Sequence, residues 1–190
     1  MRLMIAILAV AFLGLGLGLG SAQFALDQGL RFQTQQIDGW TAWVNATTSD
    51  ADPYTRAHFG RNGELPPPPL ESLAFSTNAD ASGDAIRGGC TYRIEGQFPA
   101  SRFWTLIVYR EDGTLVENPS KRHGFSSRQI LRQDDGSGVI TLSARPMPGN
   151  WVPLDPDASH QVRLTLYDSP LAAQAFLLEP VMPRVVGEPC

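Results

Sequence analysis

The chain has 190 residues, 43% of them apolar, and a formal charge of −4. This composition is globular rather than disordered, and one domain of about 150–170 residues can bury a core without help from a metal. No basic cluster stands out, which argues against nucleic acid as a partner, because that role needs a focused positive surface. The 18 glycines and 15 prolines point to many turns, as in a mainly β chain. Lys121 is the lone lysine among 15 basic residues. The rest are arginines, which reflects either codon bias or a use of guanidinium forks for carboxylates.

The N-terminus is a membrane-targeting segment. Arg2 is followed by an uncharged run from Leu3 to Leu26, and Asp27 ends it. As a helix that run is about 36 Å long, enough to span a bilayer. An uncleaved anchor explains the length. A cleaved signal peptide has a shorter apolar core, but Gly20-Ser21-Ala22 can serve as a cleavage site. Gly14, Gly16, Gly18 and Gly20 form overlapping G-x-x-x-G spacings that permit close helix contact, or are the small residues that precede a cleavage site. In both readings Arg2 stays inside and the rest of the chain faces out of the cytoplasm. Cys90 and Cys190 are the only two cysteines. In an exported protein they are expected to pair and to tie the tail to the sheet; two free thiols are the alternative.

Further along, Leu30 and Phe32 alternate with polar neighbours, and Gly39 to Val44 reads as a short aromatic strand. Asn45-Ala46-Thr47 fits a glycosylation sequon, a match that is common by chance. Asp52-Pro53 starts a helix of about two turns, with Asp52 as cap and Gly60 or Gly63 as its end. Pro66 to Pro69 reads as a rigid connector. Leu70 to Thr77 is a strand. Asn78 to Asp84 then matches the first half of a calcium loop, but Gly89 stands where the bidentate Glu belongs, so a polar turn is the better reading.

Thr91 to Phe98 alternates like a half-buried strand, and Arg102 to Tyr109 suits a core strand. Glu111-Asp112-Gly113 turns into Thr114-Leu115-Val116, which predicts a hairpin. Val139 to Ser143 and Gln161 to Tyr167 are two more strands, each preceded by an acidic turn. Leu171 to Leu178 is ambiguous between helix and strand, and the proline-bearing tail suits an edge strand.

Several of these segments, in this order, resemble the bacterial DUF1214 family. They are Asp52 to Ala57, Asp80 to Gly83, Phe103 to Tyr109 with Asp112-Gly113, Asn118-Pro119, Arg122 to Ser127, Asp135 to Ser137, Asn150-Trp151-Val152-Pro153 and Tyr167-Asp168-Ser169-Pro170. The last tetrad but one departs from the family's Asn-Trp-Leu-Pro by having Val152. The resemblance covers roughly residues 50–170. It implies a jelly-roll-like antiparallel β-sandwich with one or two short helices, here preceded by an N-terminal transmembrane or signal helix. It carries over no catalytic residue. It also implies a partner, a DUF1254-type protein, because the two domains are joined in relatives; that is analogy alone.

The residues offer no recognisable catalytic set. No Gly-x-Ser-x-Gly occurs, and His58, His123 and His160 do not stand at metal-ligand spacing, so neither a metal nor another cofactor is assigned. Glu95, Glu111 and Asp112 are carboxylates of the kind glycoside chemistry pairs, yet nothing raises one above the rest. The candidate ligand-binding residues are Trp151, Asn150, Arg122 and His123. Indole faces suit sugars and apolar ligands, and arginine forks suit carboxylates or phosphates. Trp40, Trp43 and Trp104 either help to line a ligand surface or, alternating within strands, fill the core, and core is the expectation for Trp104; Trp151 sits in what reads as a loop. The expected organisation is a membrane segment over 1–26 and a single domain over 27–190. The expected role is a non-catalytic module facing the periplasm that binds a partner protein or an envelope ligand. The alternatives are an envelope enzyme acting on glycans and a small-molecule or lipid carrier.

Overall fold

A computed structural model describes residues 2–27, 34–43, 46–63, 65, 66, 68, 71–173 and 180–190. The alternation around Leu30 and Phe32, the sequon at Asn45, part of the Pro66–Pro69 stretch and most of Leu171–Leu178 lie outside those residues. The elements run in chain order as α1 (Arg2–Asp27), β1 (Thr34–Ile37), β2 (Trp40–Trp43), α2 (Pro53–Asn62), β3 (Ser72–Thr77), β4 (Tyr92–Gly96) and β5 (Phe103–Arg110). They continue as β6 (Gly124–Ser126), β7 (Gly138–Ser143), β8 (Asn150–Pro153), β9 (His160–Tyr167), α3 (Pro170–Ala173) and β10 (Arg184–Gly187).

Two compact units emerge, residues 1–33 with 45–66, and residues 34–44 with 67–190. The first holds α1 and α2. α1 is long and apolar enough to cross a membrane, and its apolar side chains, Leu3, Ile7 and Phe12 among them, are exposed along its length. α2 begins where Asp52 is extended and its carboxylate accepts the N–H groups of Tyr54 (2.9 Å) and Thr55 (3.0 Å). Those are two of the amides that a helix start leaves unpaired, and Pro53 needs no such partner. The helix ends at Gly63, which takes the left-handed conformation that a side chain resists.

The second unit is a mainly β, sandwich-like pair of sheets. One has six strands in the order β1-β2-β3-β9-β5-β6; the other has four in the order β10-β4-β7-β8. Side chains alternate across each strand. Trp104, Leu106 and Val108 of β5 and Val162, Leu164 and Leu166 of β9 point one way and are buried, as are Ile94 of β4, Ile140 and Leu142 of β7 and Val185 of β10. These residues form one cluster between the sheets. Trp40 joins it and is anchored by its Nε1–H, which donates to Pro183 O at 2.8 Å. Trp104 stacks on Phe98 with ring centroids 4.1 Å apart. Trp40 and Trp104 are core residues, whereas Trp43, three positions after Trp40 and so on the opposite face of β2, is only half-buried.

Three elements differ from the sequence reading. The Asp112-Gly113 turn closes, with Gly113 N–H on Arg110 O, but the returning chain makes a single bridge, Leu115 to Tyr109, and leaves. The lasting partner of β5 on that side is β6, because Gly124 allows close approach: a Cβ there would lie 1.9 Å from Leu106 O. The Asn150-Trp151-Val152-Pro153 segment is a strand, not a loop. It pairs parallel to β7 from Ile140↔Asn150 to Ser143↔Pro153, while the other strand pairs are antiparallel. Only four residue pairs are matched, so the short connection from Ser143 to Asn150 reaches back far enough without a helical crossover. Finally, Asp38 and Gly39 both take positive φ and join β1 to β2 in a two-residue hairpin, Ile37↔Trp40.

Cys90 and Cys190 are joined, with Cα atoms 4.8 Å apart and a sequence separation of 100. The bridge lies just before β4 and just after β10, which pair from Tyr92↔Gly187 to Glu95↔Arg184. Removing a cross-link over a loop of this length costs up to about 4.7 kcal/mol in the chain-entropy model. Cys190→Ser is expected to lower the urea midpoint accordingly, and reductant is expected to destabilise the native protein but not the variant. An equal response of both proteins to reductant would contradict this.

Candidate functional site

Of the four residues singled out from the sequence, the fold brings two into contact. Arg122 precedes β6 on the edge of the six-stranded sheet, and Trp151 lies on β8 at the edge of the four-stranded one. The Arg122 guanidinium donates to Trp151 O at 3.3 Å and lies 5.5 Å from the Phe125 ring centroid, within cation–π range. Its backbone is held from within its own loop: Asn118 Oδ1 accepts the Arg122 N–H and Asn118 Nδ2 donates to Arg122 O, each at 3.0 Å. Asn118-Pro119 therefore serves as a clamp that sets Arg122 at the sandwich edge.

Trp151 is half-buried. Its Nε1–H donates to Ser143 O on β7 at 2.9 Å, so the indole reaches back across the sheet instead of standing away from it. Asn150 points the other way, into the interior, and is buried. Its Oδ1 accepts Leu131 N–H (2.8 Å), and its Nδ2 donates to Leu131 O (2.9 Å) and Val139 O (2.8 Å). The amide thus ties the β6–β7 connection to β7 and has no donor left for a ligand. Asn150 is a framework residue, a correction to its place among the candidate ligand groups. His123 lies beside β5, where its carbonyl accepts Val108 N–H at 2.9 Å. Its Nδ1 is shielded from water without a partner. The hydrogen bonds of this segment link Arg122, not His123, to Trp151.

A second constellation escaped the sequence reading. Arg110 ends β5, and both its Nε (3.1 Å) and Nη2 (2.7 Å) donate to Asp155 Oδ2 in the turn before β9. Asp155 in turn donates its backbone N–H to His160 Nε2 at 3.2 Å. That bond makes Nε2 an acceptor, so the neutral ring carries its proton on Nδ1. The ring is 1% exposed, and Nδ1 has no partner. Burial pushes the His160 pKa down, the Asp155 charge pulls it partly back, and Arg110 adds to the lowering. Arg110 also leads the causes that hold the Asp155 carboxyl below its usual range. Gly88 packs into the same corner, where a Cβ would fall 1.6 Å from Asp155 O, and its N–H donates to Ala158 O. The group binds three distant segments together. It offers no general base to a substrate, because the accepting nitrogen of His160 is already occupied.

The remaining acids with lowered pKa have local causes. Asp52 caps α2, where the Thr55 hydroxyl leads; Asp112 accepts from the Thr114 hydroxyl first; Asp135 accepts from Ser137. Asp80, in the stretch that resembles half a calcium loop, accepts the N–H groups of Ser82 and Asp84, which makes that stretch a polar turn. Among the described residues no three His, Cys, Asp or Glu side chains gather as a metal site would require.

A family model described as a protein of unknown function, DUF1214, matches residues 71–171. Among solved structures, the chain is similar to the VPA0106 protein from Vibrio parahaemolyticus, with a TM-score of 0.61 and 23% identity over 76% of this chain and 37% of that one. A likeness to an uncharacterized protein from Burkholderia cenocepacia is weaker, with a TM-score of 0.43 and 17% identity over 94% of this chain and 51% of that one. The chain thus spans little more than a third of the Vibrio protein, and that likeness shows fold alone. No curated protein matches the chain.

Two outcomes are expected. Asn150→Ala strands the Leu131 and Val139 backbone groups and should cost about 3 kcal/mol in urea unfolding; a loss within the noise of surface substitutions would refute the clamp. The His160 pKa is lowered in the folded state from its ordinary value of 6.5, so the unfolded chain takes up the proton first. Stability is then complete above 6.5 and falls as the pH drops below it. Unfolding free energy measured between about pH 7.5 and 5.5 should decline in the native protein and stay flatter in His160→Gln.

Proposed function

The chain belongs to the DUF1214 family, and from that premise we propose a non-catalytic binding module of the cell envelope, held at the inner membrane by α1 with its β unit in the periplasm. The observation that carries this reading is the Arg122–Trp151 contact. It joins the edges of two sheets through a guanidinium on the Trp151 backbone carbonyl, with the Arg122 backbone clamped by Asn118 and the Trp151 indole tied to Ser143 O. A half-exposed aromatic ring held in one orientation loses little entropy when a partner covers it, which is how rigid aromatic anchors work. The side chains best suited to acid–base chemistry are instead engaged in the framework, His160 and Asp155 above all. The space between the sheets is filled by Leu106, Ile140, Leu164 and their neighbours, which favours the outer surface as the place of binding.

Two features support export and, with it, the same reading. The Cys90–Cys190 bridge suits an oxidising compartment, and the uncharged helix behind Arg2 suits retention with the remainder translocated. On this reading the partner is a DUF1254-type protein or an envelope ligand.

Native mass spectrometry of the full-length protein, extracted gently from membranes, tests this. The expected mass includes residues 1–26 and a bound partner or ligand. Trp151→Ala should lose that association while giving up only about 1–2 kcal/mol of stability. Trp104→Ala, which empties a core site, should cost about 3–5 kcal/mol. A bare monomer, or association that survives Trp151→Ala, would sink the proposal.

A further inference from the structure

The outer face of the four-stranded sheet carries a recognition strip that starts at Trp151. Strand register places Trp151, Thr141, Arg93 and Val186 side by side across β8, β7, β4 and β10. Directly paired residues share a face, and the opposite face is the buried one, occupied by Val152, Leu142, Ile94 and Val185. The four residues span three strand spacings, about 14 Å. The neighbouring row is Val139, Glu95 and Arg184. Arg93 Nη2 meets Glu95 Oε2 at 2.5 Å, with both side chains well exposed. Arg184 stands on the far side of Glu95 and is exposed.

We propose that this strip binds an acidic oligosaccharide, a chain of pyranose rings bearing carboxylates, with one ring stacked on Trp151 and the carboxylates met by Arg93 and Arg184. This names the ligand class of the binding-module reading and rests on it. Three features select that class. The Trp151 Nε1–H is already given to Ser143 O, so what the indole still offers is its flat π face, the surface on which the C–H side of a sugar ring packs. The polar groups beside it include donors and an acceptor, Arg93, Glu95 and Thr141, which fits a polyhydroxylated ligand. The strip is positive on a chain of net charge −4: Arg93, Arg184 and, at the Trp151 end, Arg122 stand against Glu95. Guanidinium forks match carboxylates in geometry as well as charge. Two excess charges are too few for the salt-driven binding of nucleic acid.

The test is calorimetric titration of the full-length protein in detergent with a galacturonate oligosaccharide of four or more rings, and with a neutral gluco-oligosaccharide of equal length. The acidic chain should bind more tightly, with an affinity that falls as salt rises. Trp151→Ala should weaken it by about tenfold and Trp151→Phe by less. Arg93→Gln should weaken the acidic chain about fivefold or more and leave the neutral one nearly unchanged. Circular dichroism melts check that each variant is folded. Equal binding of both sugars, or no binding of either at millimolar concentration, overturns the assignment. If an envelope protein remains bound in native mass spectra and leaves with Trp151→Ala while no sugar binds, the ligand class is wrong and the binding-module reading stands. If Trp151→Ala changes no association at all, both fall.

Discussion

The pairing of β5 with β9 is the contact on which the β unit depends. Eight residues match in sequence, from Phe103↔Tyr167 to Arg110↔His160, the longest register among the described residues. Each strand supplies three inward side chains to the core, and each carries another strand on its far edge, β6 on β5 and β3 on β9. The register decides more than packing. It sets Arg110 opposite His160 at one end, so the guanidinium reaches Asp155 while the imidazole accepts from the same residue's backbone. A slip by one residue would turn Leu106 and Leu164 outward and break that corner together. Because the side chains at the register's end are tied to a third segment, the slip is opposed both by burial and by hydrogen bonding.

The proposed binding surface lies on what the central pair leaves at the periphery. β6 is three residues long and β8 four, and they end the two sheets on the side where Arg122 reaches Trp151. An arginine that donates to an edge carbonyl also covers a group that would otherwise invite another strand. That carbonyl is therefore engaged, while the adjoining sheet surface keeps exposed side chains such as Arg93 and Arg184. That division suits recognition by side chains over recognition by backbone.

Much of this was legible in the sequence. Asp52-Pro53 and Gly63 mark α2, and the alternation in β4, β5, β7 and β9 marks their buried faces. The two cysteines mark the bridge. What escaped has physical reasons. Pro148, Gly149 and Pro153 make β8 read as a loop, since parallel pairing on an edge leaves proline tolerable. Asp38-Gly39 is a hairpin signal, but the strands beside it have only four residues each. Asn150 resembles a ligand group because its partners, Leu131 and Val139, stand 19 and 11 residues away and leave no local pattern. The Arg110–Asp155–His160 corner has the same character: three ordinary residues become a unit only when the strands align.

The place of β10 has a consequence for the order in which the protein is made. It is the last of the described strands, yet its partner β4 lies about ninety residues earlier, and Cys90 waits for Cys190. The four-stranded sheet cannot finish on the ribosome while residues 184–190 are still inside it. Contacts this distant form slowly, since a long loop must close before they reward it. The β4 edge therefore stays unpaired until residues 184–187 have left the ribosome. The bridge that locks this edge can form only once Cys190 is free to reach Cys90.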